Sequence, residues 1–281
     1  MNPTADRVEV DGWRLTLALP APVRELHDRL AEFVVAAADG RIVEPMRRSR
    51  HARTFQTQFA AGTGTPTSLF VKVIERPRRM KGLKRMFRGS PARHVVRVTA
   101  ELAAAGLNAP PVWILGNEIA TGRELLVTPR AEGNGPLHTL AGLVGAVATK
   151  RAILRALGAE IARLHRGGFV HGDLTPFNIF IVRGEPPRFV LLDHERTRRS
   201  FFLGRTRRQL RNLVQLGRFN LPGLSRTDRL RTLAAYAAAI NSRDLRALAR
   251  RVNAMLERRI RRDGGLQEVI PPAMIQSNAS V

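Results

Sequence analysis

The chain has 281 residues, enough for one large domain or two small lobes, and 44% of them are apolar, which excludes a chain that is disordered throughout. It carries 47 Lys and Arg against 23 Asp and Glu, a formal net charge of +24, which excludes a charge-balanced protein with no preference for anions. The absence of cysteine excludes a disulfide partner, thiolate metal sites and thiol catalysis. Aromatic residues make up only 5%, which is poor material for a surface that stacks single-stranded bases.

The positive charge is concentrated in two segments. Arg76–Arg97 contains nine basic residues and no acid, and Arg196–Arg262 contains 19 arginines against three acids. Because only four basic residues of the chain are lysines, a drift toward arginine codons is an alternative explanation, although it does not account for the missing acids. A strongly basic surface otherwise suits nucleic acid, an anionic membrane or a phosphorylated ligand.

The predicted elements of the first half are mainly strands. Alternation of apolar and polar residues, bounded by turn residues such as those at 62–66, marks the strands, and Lys72 lies in the third of them. Apolar residues at helical spacing predict a helix over 91–105, which Gly106 ends. We predict strands at 13–19, 55–59, 69–74, 112–115 and 124–128.

From about residue 137 onward the chain is predicted to be mostly helical. Apolar stripes run through 153–164 and 210–216, Thr227 and Ser242 are plausible helix starts, and Gly264 ends the last helix. The first residues lack the pattern of a secretory signal, and no apolar run approaches the roughly 18 residues of a membrane helix. We therefore expect a soluble, cytoplasmic protein.

The residues that carry chemistry lie in the second half, in H-G-D-L-T-P-F-N followed by V-L-L-D. Asp173 is suited to orient a hydroxyl and accept its proton, and Asn178 and Asp193 offer amide and carboxylate oxygens, which Mg²⁺ prefers. Phosphoryl transfer also needs a lysine on an earlier strand to hold the phosphates of ATP, and Lys72 occupies such a position. The order of these residues predicts an α+β, two-lobed protein-kinase-like fold, with a small antiparallel-sheet lobe and a mainly helical lobe.

The sequence from Ile42 to Ala239 resembles the bacterial lipopolysaccharide kinase family (Kdo and heptose kinases) of the protein-kinase-like superfamily. Besides the motifs above, the resemblance includes D-H-E-R-T-R-R after Leu192 and the segment Leu224–Arg231, which separate this family from aminoglycoside and choline kinases. It implies ATP-dependent, Mg²⁺-dependent transfer to a sugar hydroxyl of the lipid A–core at the cytoplasmic face of the membrane. Asp173 would then be the catalytic carboxylate, Asn178 and Asp193 the Mg²⁺ ligands and Lys72 an ATP-phosphate ligand.

The same resemblance assigns the hinge that meets adenine to the backbone from Val127 to Arg130. It also divides the chain into an extension (1–40), an N-lobe (41–130), a C-lobe (131–264) and a loose tail (265–281). The chain departs from the pattern of kinases in two ways, since it has no glycine-rich loop and has Val95 where the helix should present a glutamate to the lysine. Glu101 is the only acid on that helix and is the possible partner of Lys72.

The two basic segments suit an anionic glycolipid acceptor and an anionic membrane surface. Met80–Arg88 would place Lys81, Lys84 and Arg85 beside an apolar edge if it is helical, and such a segment could lie on a bilayer. Arginine forks suit phosphates and carboxylates, so we expect contacts with the acceptor after the metal aspartate, at Arg196, Arg198 and Arg199.

Three alternatives stay open at the level of the sequence. The basic segments could be solvated surfaces, the departures at Val95 and the glycine loop fit a pseudokinase scaffold, and the acceptor could be a protein or another small hydroxyl compound. A nucleic-acid partner is not expected, because charge alone does not call for the acidic and amide residues of the motif.

Overall fold

The computed structural model describes residues 6–45, 47–49, 51–60, 66–75, 90–131, 133, 135–137, 140, 147–200 and 205–268. The chain divides into two units. The first consists of Met1–Ala104 and Ala109–Ala131, and the second of Ala105–Asn108 and Glu132–Val281. The fold is the expected mixture of an antiparallel sheet and helices.

The first unit is built on one seven-stranded sheet. Its strand order is β1-β2-β6-β7-β5-β4-β3, and every pair is antiparallel. The alternation of apolar and polar residues along each strand separates one face of the sheet from the other. In β2, Trp13, Leu15 and Leu17 are buried and Arg14 is exposed. The strands are β1 (Asp6–Val10), β2 (Trp13–Leu17), β3 (Arg47–Arg48), β4 (Ala52–Phe59), β5 (Thr67–Ile74), β6 (Ile114–Glu118) and β7 (Glu124–Pro129).

Helices cover both faces of this sheet. The short α1 (Ala21–Arg24) leads into α2 (His27–Ala38), which contributes Val34 and its neighbours to the same buried cluster as Trp13. Helix α3 (Pro91–Ala104) packs on the opposite face, where Val95 joins a second buried cluster with Ile74 and Leu126. Residues 6–38, which we expected to precede the kinase lobe as an extension, thus contribute two strands and α2 to the sheet and its core.

The second unit is mainly helical, with α4 (Val147–Arg166), α5 (Arg205–Gly217), α6 (Arg226–Ala239) and α7 (Leu245–Asp263). Helices α4 and α6 pack so closely that a Cβ on Gly158 would overlap the Thr232 carbonyl oxygen, which explains a glycine inside α4. Helix α6 is capped by Ser225, whose side chain forms a reciprocal capping box with Asp228. Burial alone would raise the pKa of Asp228, but hydrogen bonds from Lys150 and Ser225 lower it to about 2.

Short strands complete the second unit. The hairpin β10–β11 carries the strand β8 on its outer edge, β9 pairs antiparallel with β12, and β13 pairs in parallel with β14. Part of the expected loose tail is therefore ordered at β14, while residues 269–281 lie outside the described part. The strands are β8 (Gly135–Pro136), β9 (Phe169–Val170), β10 (Ile179–Val182), β11 (Arg188–Leu191), β12 (Arg198–Arg199), β13 (Phe219–Asn220) and β14 (Gln267–Glu268).

Most predicted elements are confirmed, with shifts at their ends. The predicted strand at 112–115 is β6, which runs from Ile114 to Glu118, and the Trp113 amide just before it donates to the Val127 carbonyl. The last two helices begin after the caps Ser225 and Asp244, where we predicted starts at Thr227 and Ser242. Helix α2 was missed.

Candidate functional site

The loop from His171 to Asn178 connects β9 to β10 and carries Asp173. Its second residue, Gly172, has a φ of +77°, a conformation that favours glycine. A Cβ there would overlap the backbone carbonyl of Arg196, so no other residue fits without movement. The glycine of the H-G-D string is therefore explained by a close approach between this loop and the segment after Asp193.

Asn178 connects the two halves of the acidic motif. Its side-chain Nδ2 donates to the backbone carbonyl of Asp173 at 2.9 Å, which turns the amide oxygen away from that carbonyl. Its own backbone carbonyl accepts from the amide of Leu192, the residue before Asp193, at 2.9 Å. Asp173, Asn178 and Asp193 therefore belong to one hydrogen-bonded arrangement of loop and hairpin, as the spacing in the sequence predicts.

Asp193 follows β11 in a left-handed conformation, with φ 60° and ψ 67°. Its carboxylate is on an exposed residue at the start of the one-turn helix His194–Arg196. Asn tolerates this backbone region as well as Asp does, whereas most other side chains do not. The position thus combines an accessible carboxylate with a backbone that few residues adopt.

Two buried histidines support this loop and strand end. His171 Nε2 bonds the Leu192 carbonyl at 2.8 Å, and the amide of Asp173 donates to His171 Nδ1 at 3.4 Å. His194 Nε2 bonds the Leu191 carbonyl at 2.8 Å, and the two imidazole rings are 5.1 Å apart. Burial lowers the pKa of His171 to about 4 and, with the neighbouring His171, that of His194 to about 3. Both rings are therefore neutral at pH 7 and act as structural groups.

Two polar residues of α5, which the sequence analysis did not select, hold the same loop. Gln215 Nε2 donates to the Gly172 carbonyl at 2.7 Å, and its Oε1 accepts from the Leu174 amide at 3.2 Å, so the side chain brackets Asp173. The Asn212 Oδ1 accepts from the His171 amide at 3.0 Å and bonds His165 Nε2 at 3.1 Å. Polar residues placed among the apolar positions of the 210–216 stripe were the signal that could have identified them.

Lys72, Val127 and Arg130 lie in the first unit. Lys72 is half-buried in β5 and pairs in register with Thr54 and Leu126 on the neighbouring strands. The carbonyl of Val127 accepts from the Trp113 amide, and the Arg130 amide donates to Ser68. These two hinge groups are already bonded, so an adenine contact would have to use other backbone groups of this segment.

The helix that should present a glutamate to the lysine is α3. Val95 is 8% exposed and belongs to the apolar cluster with Ile74 and Leu126. The carboxylate of Glu101 lies 4.0 Å from Arg97 on the same helix. Glu101 therefore forms an ion pair within α3, with an arginine one helical turn earlier in the chain.

The predicted contacts with the acceptor and the membrane divide into two groups. Lys81, Lys84 and Arg85 lie outside the described residues. Arg196 and Arg198 line a cleft in the second unit, and the exposed Arg199 has its guanidinium 5.3 Å from the Phe169 ring centroid. No helix among the described residues is long and apolar enough to cross a membrane.

The donor set is compatible with Mg²⁺. Within the described ranges, no three His, Asp or Glu side chains group in a way that could hold a metal ion. Mg²⁺ is commonly held by only one or two carboxylates together with water and substrate phosphates. The carboxylate of Asp193 and the amide oxygen of Asn178 are oxygen ligands of the kind that such a Mg²⁺ site uses.

The sequence profile of the lipopolysaccharide kinase (Kdo/WaaP) family matches residues 80–236, which is more than half of the chain. The chain belongs to this family. It is therefore a phosphotransferase, a sugar kinase that acts on a lipopolysaccharide-type substrate. No curated protein matches this kinase at a significant level.

Two solved structures that match this lipopolysaccharide kinase are proteins named WaaP and WbdD. One is described as WaaP in complex with acyl carrier protein, with 22% identity, a TM-score of 0.60, and coverage of 86% of this chain and 97% of that one. Another is WbdD, with 17% identity, a TM-score of 0.45, and coverage of 76% of this chain and 50% of that one. The WaaP likeness supports the kinase-like fold that the sequence predicted.

Proposed function

We propose that this kinase uses Mg²⁺-ATP and transfers the γ-phosphate to a sugar hydroxyl of a lipopolysaccharide-core-type glycolipid. The observation that carries the proposal is the bonding of Asn178, whose side chain holds the Asp173 carbonyl and whose carbonyl holds Leu192 beside Asp193. A loop held in this way presents a carboxylate, an amide oxygen and a second carboxylate from one rigid arrangement. Phosphoryl transfer depends mainly on positioning and charge, which such an arrangement supplies.

In this proposal Asp173 accepts the proton of the attacking sugar hydroxyl. Gln215 bonds the backbone on both sides of Asp173, and the neutral His171 bonds its amide, so the carboxylate is held in place before the acceptor binds. Burial, and then the neighbouring Arg259, lower the pKa of Arg218, while the negative charges of Asp263 and Asp173 act in the opposite direction.

We assign the metal to Asn178 and Asp193. These two residues would hold Mg²⁺, which would supply positive charge against the negative charge that develops on the phosphates during transfer. The chain would fix the positions of these two ligands. Asn178 Nδ2 donates to the Asp173 carbonyl, which leaves the amide oxygen for the metal, and the left-handed backbone orients the Asp193 side chain. Lys72 would hold the phosphates, and the backbone at 127–130 would meet adenine, as the family resemblance implies.

The test is transfer of labelled phosphate from ATP to a panel of core glycolipids, simple sugars and generic protein. Asp173→Asn is expected to lower kcat by at least about 100-fold, since a carboxamide cannot accept the proton. Asp244→Asn is the matched control, because Asp244 caps α7 by accepting from Ala247 and asparagine caps equally well. Full activity of Asp173→Asn would contradict the assignment, and phosphate transfer to protein alone would contradict the glycolipid acceptor.

A pseudokinase scaffold is the second candidate, and the buried apolar position of Val95 favours it. The two candidates differ in nucleotide binding and turnover. A thermal shift with Mg²⁺-ATP that disappears in Asp193→Asn and with EDTA, together with transfer, supports the kinase. Binding without transfer to any acceptor, or no binding, supports the scaffold.

We also propose that the kinase works on the inner face of the cytoplasmic membrane as a peripheral protein. The support is the positive charge, because each basic residue near an anionic bilayer contributes on the order of 1 kcal/mol at low salt. Sedimentation with vesicles that contain anionic lipid, compared with neutral vesicles, tests it. Equal recovery with both kinds of vesicle would contradict it.

A further inference from the structure

A cleft of about 990 Å³ opens in the second unit, between α5, α7 and the loop that carries Asp173. The part of its lining that the structure describes contains no Asp or Glu. Apolar groups are also present, including Val170, Val214 and Met255. The cationic lining consists of Arg196, Arg198, Arg207, Arg208, Arg211, Arg218, Arg258, Arg259 and Arg262.

Few of these charges are neutralised. Asp263 at the end of α7 faces three of them, at 3.6 Å from Arg218, 2.6 Å from Arg259 and 3.7 Å from Arg262. Within the described ranges, Arg207 and Arg211 form no ion pair with a carboxylate. The cleft therefore keeps a large excess of positive charge.

The arrangement is costly for the fold. Arg207 and Arg211 are four residues apart on α5, as are Arg258 and Arg262 on α7, and like charges at this spacing destabilise a helix. Burial, and then the neighbouring Arg259, lower the pKa of Arg218, which indicates crowded positive charge. The Arg218 Nε is buried and has no hydrogen-bond partner among the described residues. A bound anion would reduce the repulsion among these guanidinium groups.

The cleft begins at the catalytic loop. Gly172, which precedes Asp173, and Gln215, which donates to the Gly172 carbonyl, both line the cleft. A second cavity of about 440 Å³ shares Arg207, Met255 and Arg258 with the cleft and adds Arg250 and Arg251. The basic surface therefore extends from beside Asp173 along α5 and α7, as an elongated ligand would require.

We propose that this cleft binds a segment of the acceptor oligosaccharide that carries at least two anionic groups, phosphate or carboxylate, while Asp173 acts on a neighbouring sugar hydroxyl. The inference rests on the proposed function and adds the chemistry of the acceptor to it. The volume lies within the range of pockets for compact ligands, which favours a few sugar units over a duplex or a flat bilayer. Arginine forks match phosphate and carboxylate oxygens, and the apolar lining suits the C–H faces of sugar rings.

The test compares the binding of three probes by calorimetry at two salt concentrations. The probes are a deacylated core oligosaccharide with its phosphates and carboxylates, the same oligosaccharide after dephosphorylation and carboxyl reduction, and inorganic phosphate. The variant Arg207→Gln/Arg211→Gln/Arg258→Gln removes three exposed charges of the cleft. Arg226→Gln/Arg246→Gln/Arg261→Gln is the control, since it removes three exposed charges that line neither cavity.

The anionic oligosaccharide is expected to bind the unaltered protein, and the cleft variant to bind it about 30-fold more weakly, because three charge-assisted contacts are lost. The control variant is expected to change binding by less than about threefold, as distant charges are screened. Equal binding of the neutralised oligosaccharide, equal binding of inorganic phosphate, or an equal loss in the control would overturn the proposal. Tighter binding of duplex DNA, lost in the cleft variant, would overturn it in favour of nucleic acid.

Binding of Mg²⁺-ATP is measured on the same proteins. A protein that binds the oligosaccharide without binding Mg²⁺-ATP supports the cleft and contradicts the kinase mechanism. A protein that binds Mg²⁺-ATP but does not discriminate between the oligosaccharides contradicts the cleft alone. The two failures are therefore distinguishable.

Discussion

Replacement of Gln215 by methionine tests whether α5 positions the loop that carries Asp173. The side chain spans three groups, donating to the Gly172 carbonyl and accepting from the Leu174 amide and from Asn212 Nδ2, the last at 3.0 Å. Methionine keeps the length but makes none of these bonds. Two of these partners, Leu174 and Asn212, are buried and would lose this hydrogen bond. Each lost bond costs about 1 kcal/mol, so we expect the free energy of unfolding to fall by about 3 kcal/mol.

The effect on catalysis should exceed the effect on nucleotide binding. Asp173 lies between the two backbone groups that Gln215 holds, and a displacement of about 1 Å at a reacting group can cost on the order of 100-fold in rate. We therefore expect kcat for transfer from labelled ATP to a core glycolipid to fall by about 100-fold, with a small change in KM for ATP. Gln215→Glu keeps the acceptor for Leu174 but loses the donor to Gly172, so its kcat should lie between those of Gln215→Met and the unaltered kinase.

Gln209→Met is the matched control. Gln209 lies on the same helix, is also half-buried, and makes a single bond of 3.3 Å to the His165 carbonyl, away from the loop. If Gln215→Met is less stable but keeps its kcat, the positioning argument is wrong. An equal fall in kcat for Gln209→Met would refute it as well, by showing that any weakening of α5 suffices.

Three further predictions concern the loop and the helix α3. The folded pKa of His171 is about 4, below the ordinary 6.5, so the stability that its neutral ring contributes is full above pH 6.5 and is lost as the pH falls toward 4. Since His194 has a pKa of about 3 and acts in the same way, urea unfolding should show a loss of roughly 4 kcal/mol between pH 7 and pH 5, of which His171→Asn removes about half; an unchanged pH dependence in that variant would contradict the argument. Gly172→Ala should destabilise by roughly 2 kcal/mol more than Gly264→Ala, since both have φ near +78° but only the first Cβ meets the Arg196 carbonyl; equal losses would disprove the overlap. Val95→Glu should lower the free energy of unfolding by roughly 3 kcal/mol, because it buries a carboxylate in an apolar cluster, whereas unchanged stability would mean that a cation receives it.

The sequence predicts that Asp173 and Asn178 share one loop, because local spacing determines that arrangement. The six residues from Asp173 to Asn178 form one tight loop, and the Asn178 side chain returns to the Asp173 carbonyl within that loop. The strand that ends before Asp193 is the return strand of a short hairpin, which also depends on local sequence. These contacts need no knowledge of how distant helices pack.

Other parts of the site depend on contacts between residues far apart in the chain, and the sequence does not indicate them. Gln215 meets Gly172 across 43 residues, and the arginines of α7 meet those of α5 only because the two helices pack together. Two segments of the extension that we expected at residues 1–40, β1 and β2, belong to the sheet for the same reason, since β2 pairs with β6, about 100 residues later. The alternation of apolar and polar residues predicts the strand β2, but no local pattern identifies the strand with which it pairs.

Helix α5 connects the positive charge of the chain to the proposed mechanism. Arg208, Asn212 and Gln215 follow one another at helical spacing, so the helix that holds the Asp173 loop also lines the basic cleft. An anion in the cleft would reduce the repulsion among the arginines and stabilise α5 at the point where Gln215 bonds the loop. In the proposed mechanism, binding of the charged part of the acceptor and placement of the carboxylate that accepts the sugar proton are therefore performed by the same element. That coupling would favour transfer to acceptors that fill the cleft, because a neutral sugar would leave the arginines unpaired and α5 less firmly held.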